Sequence, residues 1–283
     1  MTSIFLTFIF LFLFWAIARA YKNTKDVAIN RISIEQNPGE RTKTDLNILH
    51  LSDLHLENIS ISPNELYHKL KSEEIDLIVL TGDFLDRTRT IPKLGPYLRA
   101  LCQINAKYGM YAVLGNHDYV LRGNNLQLLK DTLEQHGCTV LQNSSKLISI
   151  DGISVNIIGI DDFSTRRSNL AASYANLEPG YNLVLTHDPN IVLHMQKFHF
   201  DYLLSGHFHG GQICYPKAYH LVKMGKLVRM NMIKGLHHHD GKPFYINEGL
   251  GQTGVNIRVG SRPEITFHQL SLSTVKCESS PAV

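Results

Sequence analysis

The sequence is poor in cysteine: Cys102, Cys138, Cys214 and Cys277 stand apart, with no CxxC pair among them. That excludes a disulfide-stapled scaffold and a cysteine zinc knuckle, and it fits ordinary thiols in a reducing compartment. A surplus of one charge is also lacking, since the net charge is only +3. A protein that binds nucleic acid by whole-surface attraction needs far more, so no nucleic-acid partner is expected. No internal repeat or low-complexity segment is evident. With 283 residues, 43% of them hydrophobic, the chain has material for one large globular core or two small ones. Histidine, by contrast, is plentiful: there are fifteen, many beside Asp or Gly, a composition that hints at metal.

Charge is missing altogether from residues 2–18, TSIFLTFIFLFLFWAIA. At about 1.5 Å per residue this run makes roughly 25 Å of helix, just enough to cross a bilayer. No Lys or Arg precedes it to form a signal peptide's basic region, and no twin arginine stands there, although Ala18-Arg19-Ala20 resembles a signal-peptidase site. A cleaved leader thus stays open beside an uncleaved anchor, and a buried core helix is the third reading. An uncharged stretch with Trp15 near its end fits a bilayer better than a core. Arg19, Lys22, Lys25 and Arg31 come after it, and by the positive-inside rule they orient the C-terminal flank toward the cytoplasm.

The remaining organisation is set by hydrophobic patterning. An anchor over 1–21, a polar linker over 22–44 carrying Pro38-Gly39, a globular domain over 45–272 and a tail over 273–283 are expected. Apolar runs predict strands at 46–51, 75–80, 110–114, 138–141, 147–150, 153–160, 183–186, 202–205, 244–246 and 265–270. Helices are predicted over 63–72, 92–107, 125–136 and 189–197, each opening on Pro or Asn. Alternation in the first half suggests parallel βαβ units, and residues 138–160 suggest a meander with a turn at Asp151-Gly152, so the fold class is mixed α/β.

The residues just beyond the strands are more informative. Residues 46–51 lead into Ser52-Asp53-Leu54-His55, and 75–80 into Thr81-Gly82-Asp83. The run Tyr111-Ala112-Val113-Leu114 leads into Gly115-Asn116-His117-Asp118. Residues 183–185 lead into Thr186-His187-Asp188, and 202–204 into Ser205-Gly206-His207-Phe208-His209. A histidine after one strand is ordinarily a hydrogen-bonded loop residue, and Gly-Asp is a common turn. Five strand ends bearing Asp, His and Asn are another matter, because the carboxyl ends of strands in an open α/β sheet share one edge where distant groups converge. A mixed carboxylate, imidazole and amide shell suits a divalent transition ion such as Mn, Fe or Zn rather than Ca or Mg.

These motifs, DLH at 53–55, GD at 82–83, GNHD at 115–118, His187 and GHFH at 206–209, resemble the five ordered motifs of calcineurin-like metallophosphoesterases, over about residues 46–272. The resemblance implies a four-layer α/β/β/α sandwich with a two-metal site at the C-terminal edge of its strands. It implies that Asp53, His55 and His209 hold one ion, that Asn116, His187 and His207 hold the other, and that Asp83 bridges them. Hydrolysis of a phosphodiester or pyrophosphate by a metal-bridging hydroxide is the chemistry implied, with manganese the expected metal and iron or zinc as alternatives. His117, assigned to neither ion, is left free to contact the phosphate or donate a proton to the leaving oxygen, with Asp118 orienting it. A metal-dependent scaffold without turnover is the competing class, against which the complete ligand set argues.

Residues 213–243 carry Lys217, Lys223, Lys226, Arg229, Lys234 and Lys242 against the single acid Asp240, interleaved with apolar side chains such as Leu221, Val222, Met224 and Val228. A solvated basic loop and a surface meeting anionic headgroups and acyl chains both fit. Lys223, Arg229 and Arg258 are the candidate substrate contacts, whereas His237, His238 and His239 cannot all face one site. The anchor and the tail beyond the last metal motif resemble the membrane-associated bacterial branch, which includes YkuE-type phosphodiesterases and a UDP-2,3-diacylglucosamine pyrophosphatase of lipid A synthesis. That branch implies an inner-membrane protein with its catalytic domain in the cytoplasm, a phospholipid membrane as partner and a lipid-linked nucleotide substrate. No helical lid is identifiable, except over residues 216–236.

Overall fold

The computed structural model describes residues 2–35 and 43–273; Pro38-Gly39 and the expected tail beyond residue 273 lie outside them. Its strands are β1 (Ala28–Glu35), β2 (Lys43–Leu51), β3 (Leu77–Thr81), β4 (Met110–Val113), β5 (Cys138–Val140), β6 (Ser144–Ile150), β7 (Ile153–Gly159), β8 (Tyr181–Leu185), β9 (Tyr202–Ser205), β10 (Gly235–His239), β11 (Lys242–Ile246) and β12 (Glu264–Ser273). The helices are α1 (Thr2–Asn23), α2 (Pro63–Leu70), α3 (Leu94–Cys102), α4 (Asn124–Gln135), α5 (Leu170–Ser173) and α6 (Lys226–Arg229).

Two six-stranded sheets face each other, one ordered β1-β12-β2-β3-β4-β5 and the other β10-β11-β9-β8-β7-β6. The period-2 alternation of each strand divides its side chains between layers. On β2, Leu46 and Ile48 join the inter-sheet core with Val79, Ile157, Leu183 and Leu204, while Leu49 and Leu51 turn outward to Leu66, Leu98 and Leu133 of α2, α3 and α4. The outer face of the second sheet is covered by short pieces, the 3₁₀ turns Pro189–His194 and Tyr219–Leu221 together with α6, which bury Ile191, Leu221 and Leu227. The α/β/β/α order is thus present, with a thin fourth layer.

Strands β2, β3 and β4 run parallel, as do β8 and β9, so the chain leaves each group of strands along one edge. Several boundaries differ from the sequence expectation. The helix expected over 92–107 begins as a 3₁₀ turn, Thr88–Lys93, because Pro92 supplies no amide to an α-helical ladder, and α3 comes after it. The one expected over 189–197 is only a 3₁₀ turn opened by Asp188, whose side chain accepts from the Asn190 amide. Residues 22–44 are no linker throughout: α1 continues to Asn23, and β1 pairs in parallel with β12 over eight residues as the edge of the first sheet. Its Ile32 and Ile34 reach the inter-sheet core.

Helix α1 is long and apolar enough to cross a membrane, and almost none of it is buried. Its last turn is seated on the domain. The Ala20 carbonyl accepts from the Arg258 amide at 2.9 Å, and Asn23 Nδ2 donates to the Arg258 carbonyl at 2.9 Å.

Candidate metal centre

The loops leaving β2, β3, β8 and β9 are laced together before any side chain acts. Asp53 N donates to Gly82 O and His55 N to Asp83 O, both at 3.0 Å, while Gly206 N donates to His187 O at 3.0 Å. Such tight crossings force the backbone into the left-handed region: Asp53, His55, Asp83, His207 and His209 all have positive φ. That conformation costs a non-glycine residue on the order of 1 kcal/mol and persists only where the surroundings fix it. Two glycines permit the approach. A Cβ on Gly206 would overlap the Asp53 carboxylate and the Ser52 hydroxyl, and one on Gly115 would overlap the Asp83 carboxylate.

The side chains converge as two groups. Asp53, His55 and His209 bring one ligand atom each within 4.8 Å of one another, as do Asp83, His187 and His207. Asp83 Oδ2 lies 3.6 Å from His55 Nε2 and 3.1 Å from His187 Nε2, which gives it the bridging place between the groups. The imidazoles are aimed through their other nitrogens. His55 Nδ1 meets Asp86 Oδ1 at 2.8 Å, His187 Nδ1 meets the Thr81 carbonyl at 2.7 Å, and His209 Nδ1 meets the Gly251 carbonyl at 3.3 Å. This outer bonding leaves each Nε2 toward the centre, as metal-bound histidines require.

The fit to metal rests on orphaned lone-pair atoms. His55 Nε2 and Asn116 Oδ1 are buried without a hydrogen-bond partner. A buried polar atom left unpaired costs about 1–3 kcal/mol, and both are ligand atoms of the expected set. Six of the seven expected ligands thus lie in two groups compact enough for a pair of divalent ions, and the seventh, Asn116, has its Oδ1 buried and unpaired. A third grouping, His55, Asp83 and His117, also meets the distance condition, but His117 Nδ1 is held by Asp86 Oδ1 at 2.9 Å and the ring is partly exposed.

Asp86 is the residue that sequence reading missed. It accepts from both His55 and His117, and its only signal in the sequence is its place three residues after Asp83 in GDFLD. Asp118, expected to orient His117, does something else: its carboxylate accepts the amides of Asp83, Phe84 and Gly115, each at 2.9 Å. It thereby clamps the loops after β3 and β4, and burial next to Asp83 pushes it up to about 7. For His117, burial pulls the imidazole pKa down, but the Asp86 hydrogen bond and the Asp83 charge outweigh it and carry it up to about 9.

Arg258 is no substrate contact. It is fully buried, and its guanidinium donates to the carbonyls of Gly251 at 2.7 Å, Gly249 at 3.1 Å and His209 at 3.4 Å. It props the loops beneath the ligands, while its own backbone holds the end of α1. Lys223 does reach the neighbourhood, on a cleft wall shared with His207. Arg229 instead lines a separate cavity with Tyr219, Val222 and Ile233 that includes no metal ligand. His237, His238 and His239 lie on edge strand β10 and line neither cavity at the centre. Over the ligands themselves sits a cavity of about 200 Å³ whose walls, apart from Asp83 and several histidines, are mainly Phe208, Ile213, Leu221, Met224 and Val255.

A two-sheet sandwich that delivers this ligand set from the C-terminal ends of its strands defines a metallophosphoesterase. The chain belongs to the calcineurin-like phosphoesterase family, whose model matches residues 46–211. It is 67% identical to the uncharacterized metallophosphoesterase YkoQ of Bacillus subtilis (strain 168) over 252 residues, 89% of this chain and 93% of that one. It is 28% identical to the metallophosphoesterase YkuE of the same strain, covering 79% of this chain and 78% of the relative. The UDP-2,3-diacylglucosamine pyrophosphatase LpxG of Chlamydia trachomatis is also 28% identical, covering 78% and 82%. The protein is a metal-dependent phosphoester hydrolase.

Proposed function

We propose that the protein is anchored by α1 with its domain in the cytoplasm, and that it hydrolyses a phosphodiester or pyrophosphate bond in a lipid-linked substrate. UDP-2,3-diacylglucosamine is the first compound to test, with UMP and 2,3-diacylglucosamine 1-phosphate as products. The observation that carries this reading is the apolar wall over the ligands, of which Ile213 and Val255 are themselves exposed, with exposed Tyr215, Tyr219 and Val222 close in sequence to its lining residues. The loop holding Val255 ends at Arg258, which is bonded to the last turn of α1. A membrane helix seated there sets an apolar mouth beside the bilayer, where acyl chains can stay while the headgroup reaches the ligands. Arg19, Lys22 and Lys25 at the end of α1 favour the cytoplasmic side.

When bound, two divalent ions, manganese in this reading, supply the charge that acidifies a water and draws in phosphate oxygens. Asp53, His55 and His209 would hold one, Asn116, His187 and His207 the other, and Asp83 both. The protein's own groups do the rest. Asp83 Oδ1 accepts the His117 amide at 2.8 Å, fixing that residue beside the ligands. Asp86 keeps the His117 imidazole protonated near neutrality and orients it, so that the ring can give its proton to the leaving oxygen as the phosphorus–oxygen bond breaks.

A broader phosphodiesterase is the second reading, favoured because residues 216–236 form, apart from irregular backbone, a 3₁₀ turn, the four-residue α6 and the start of β10 rather than a helical lid. Full-length protein in detergent with manganese distinguishes the two. Release of UMP from UDP-2,3-diacylglucosamine well above the rate on an aryl phosphodiester supports the first, and turnover of the aryl diester without UMP release assigns the second.

A further inference from the structure

A cleft of about 810 Å³ adjoins the metal centre and shares His207 and Met224 with the apolar cavity. Three cations line it, Arg166, Lys223 and Lys226, and none of them is in an ion pair among the described residues. The one carboxylate on its wall, Asp188, is buried, and its Oδ1 accepts the backbone and side-chain amides of Asn190 at 2.9 and 2.8 Å.

Both walls are fixed by buried polar groups. Asn190 Nδ2 donates to Met224 O at 2.8 Å and its Oδ1 accepts from Leu227 N at 3.2 Å, gripping the segment between Lys223 and Lys226. A Cβ on Gly225 would overlap the Asn190 side chain, so the segment closes directly onto it. On the other wall, Asp162 Oδ2 accepts from the Ser164 hydroxyl and the Thr165 amide, both at 2.7 Å, and folds the loop that presents Arg166 with φ of +61°. A non-glycine residue held there marks a position fixed by its surroundings.

The centre thus has two unlike neighbours, an apolar cavity and a cleft with three unneutralised cations. Positive charge gathered in a cleft beside a phosphate-binding centre suits a second strongly charged group on the same molecule, and Arg offers it a planar fork of donors. We infer that the cleft is a subsite for a second phosphate bonded to the one at the metal centre, with Arg166, Lys223 and Lys226 as its specificity-determining residues. The substrate class is then a diphosphate with an apolar portion, not a simple diester. This rests on the proposed reading of the metal centre and narrows it.

Calorimetric titration of UMP and UDP into full-length, detergent-solubilised, manganese-loaded protein without free metal tests the subsite. UDP is expected to bind at least tenfold more tightly than UMP. The Arg166→Ala/Lys223→Ala variant should bring the two within about threefold while UMP affinity, which reports an intact centre, is retained. Because Lys223 and Lys226 are exposed, Lys223→Glu/Lys226→Glu serves as a second variant that the fold tolerates, and Lys223→Arg should keep the preference. Equal affinities in the wild type, or an undiminished UDP preference in both variants, would overturn the subsite. The affinity ratio does not depend on turnover, so absent hydrolysis with a persisting preference sinks the catalytic reading alone. UMP release with a flat ratio sinks the subsite alone.

Discussion

In the proposed mechanism, His117 and Asp86 carry the chemistry that the ligands do not. The Asp86 carboxylate touches both His55 and His117, so it couples ligand aim to proton donation. His117→Ala is expected to lower kcat by about 10²–10³-fold, within the range for a lost general acid, while elemental analysis still finds both metals. Loss of one metal would instead make His117 a ligand. Gly206→Ala should act the other way, displacing the Asp53 carboxylate and reducing metal content along with rate. A third residue sets a pH dependence of stability remote from turnover. Glu264 is buried, accepts from Asn30, Tyr245 and Thr266, and burial raises its pKa to about 7. The folded state thus holds a proton that the unfolded chain releases at an ordinary carboxyl pKa near 4.5. Its stabilising contribution is full below that value and is lost as pH rises through 7, on the order of 3 kcal/mol in all. Urea unfolding at pH 5 and pH 8 should show the Glu264→Gln variant losing less stability over this interval than the wild type; equal losses would contradict the assignment.

At the level of elements, the ends of the chain divide into parts with different duties. Removing residues 2–19 takes away the apolar helix but leaves Ala20, Asn23 and Thr24 on the domain, so the shortened protein should stay folded and bind vesicles far more weakly than the full chain, through the domain's own surface alone. Removing residues 2–35 also strips β1 and bares the β12 edge along eight paired residues. That protein should aggregate on size-exclusion chromatography, and a well-behaved monomer would show β1 to be dispensable. How much of the fold and the centre is legible in the sequence depends on whether a local pattern reports it. Asp53, Asp83, Asn116, His187, His207 and His209 each come after an apolar strand, and parallel topology then brings them together, so their convergence can be inferred from spacing. Strand β1 is hidden in a polar stretch because an edge strand alternates exposed and inward residues and offers only Ile32 and Ile34 to the core. Asp86 takes the role expected of Asp118 because sequence proximity favours Asp118, whereas partner choice is decided by folded distance. Arg258 is legible as an arginine near the centre but not as a buried one, since nothing local marks the three carbonyls that surround its guanidinium.

The whole molecule joins a rigid, strained ligand cage between two sheets to a face with an apolar mouth and a cationic cleft. Tyr215 and Tyr219 stand exposed beside that mouth; Tyr215→Asp/Tyr219→Asp should weaken binding of the α1-truncated domain to anionic vesicles several-fold in a sedimentation assay, and unchanged binding would remove the mouth from the membrane surface. The two-metal assignment itself is tested most directly by titrating metal-free, full-length protein with manganese while recording bound metal and the hydrolysis of bis(p-nitrophenyl) phosphate. The expected result is a rate that rises until two ions are bound per chain, and an Asp83→Asn variant that loses both occupancy and turnover because one carboxylate serves both sites. Full activity with a single ion, or an Asp83→Asn protein that still binds two ions and turns over normally, would contradict it.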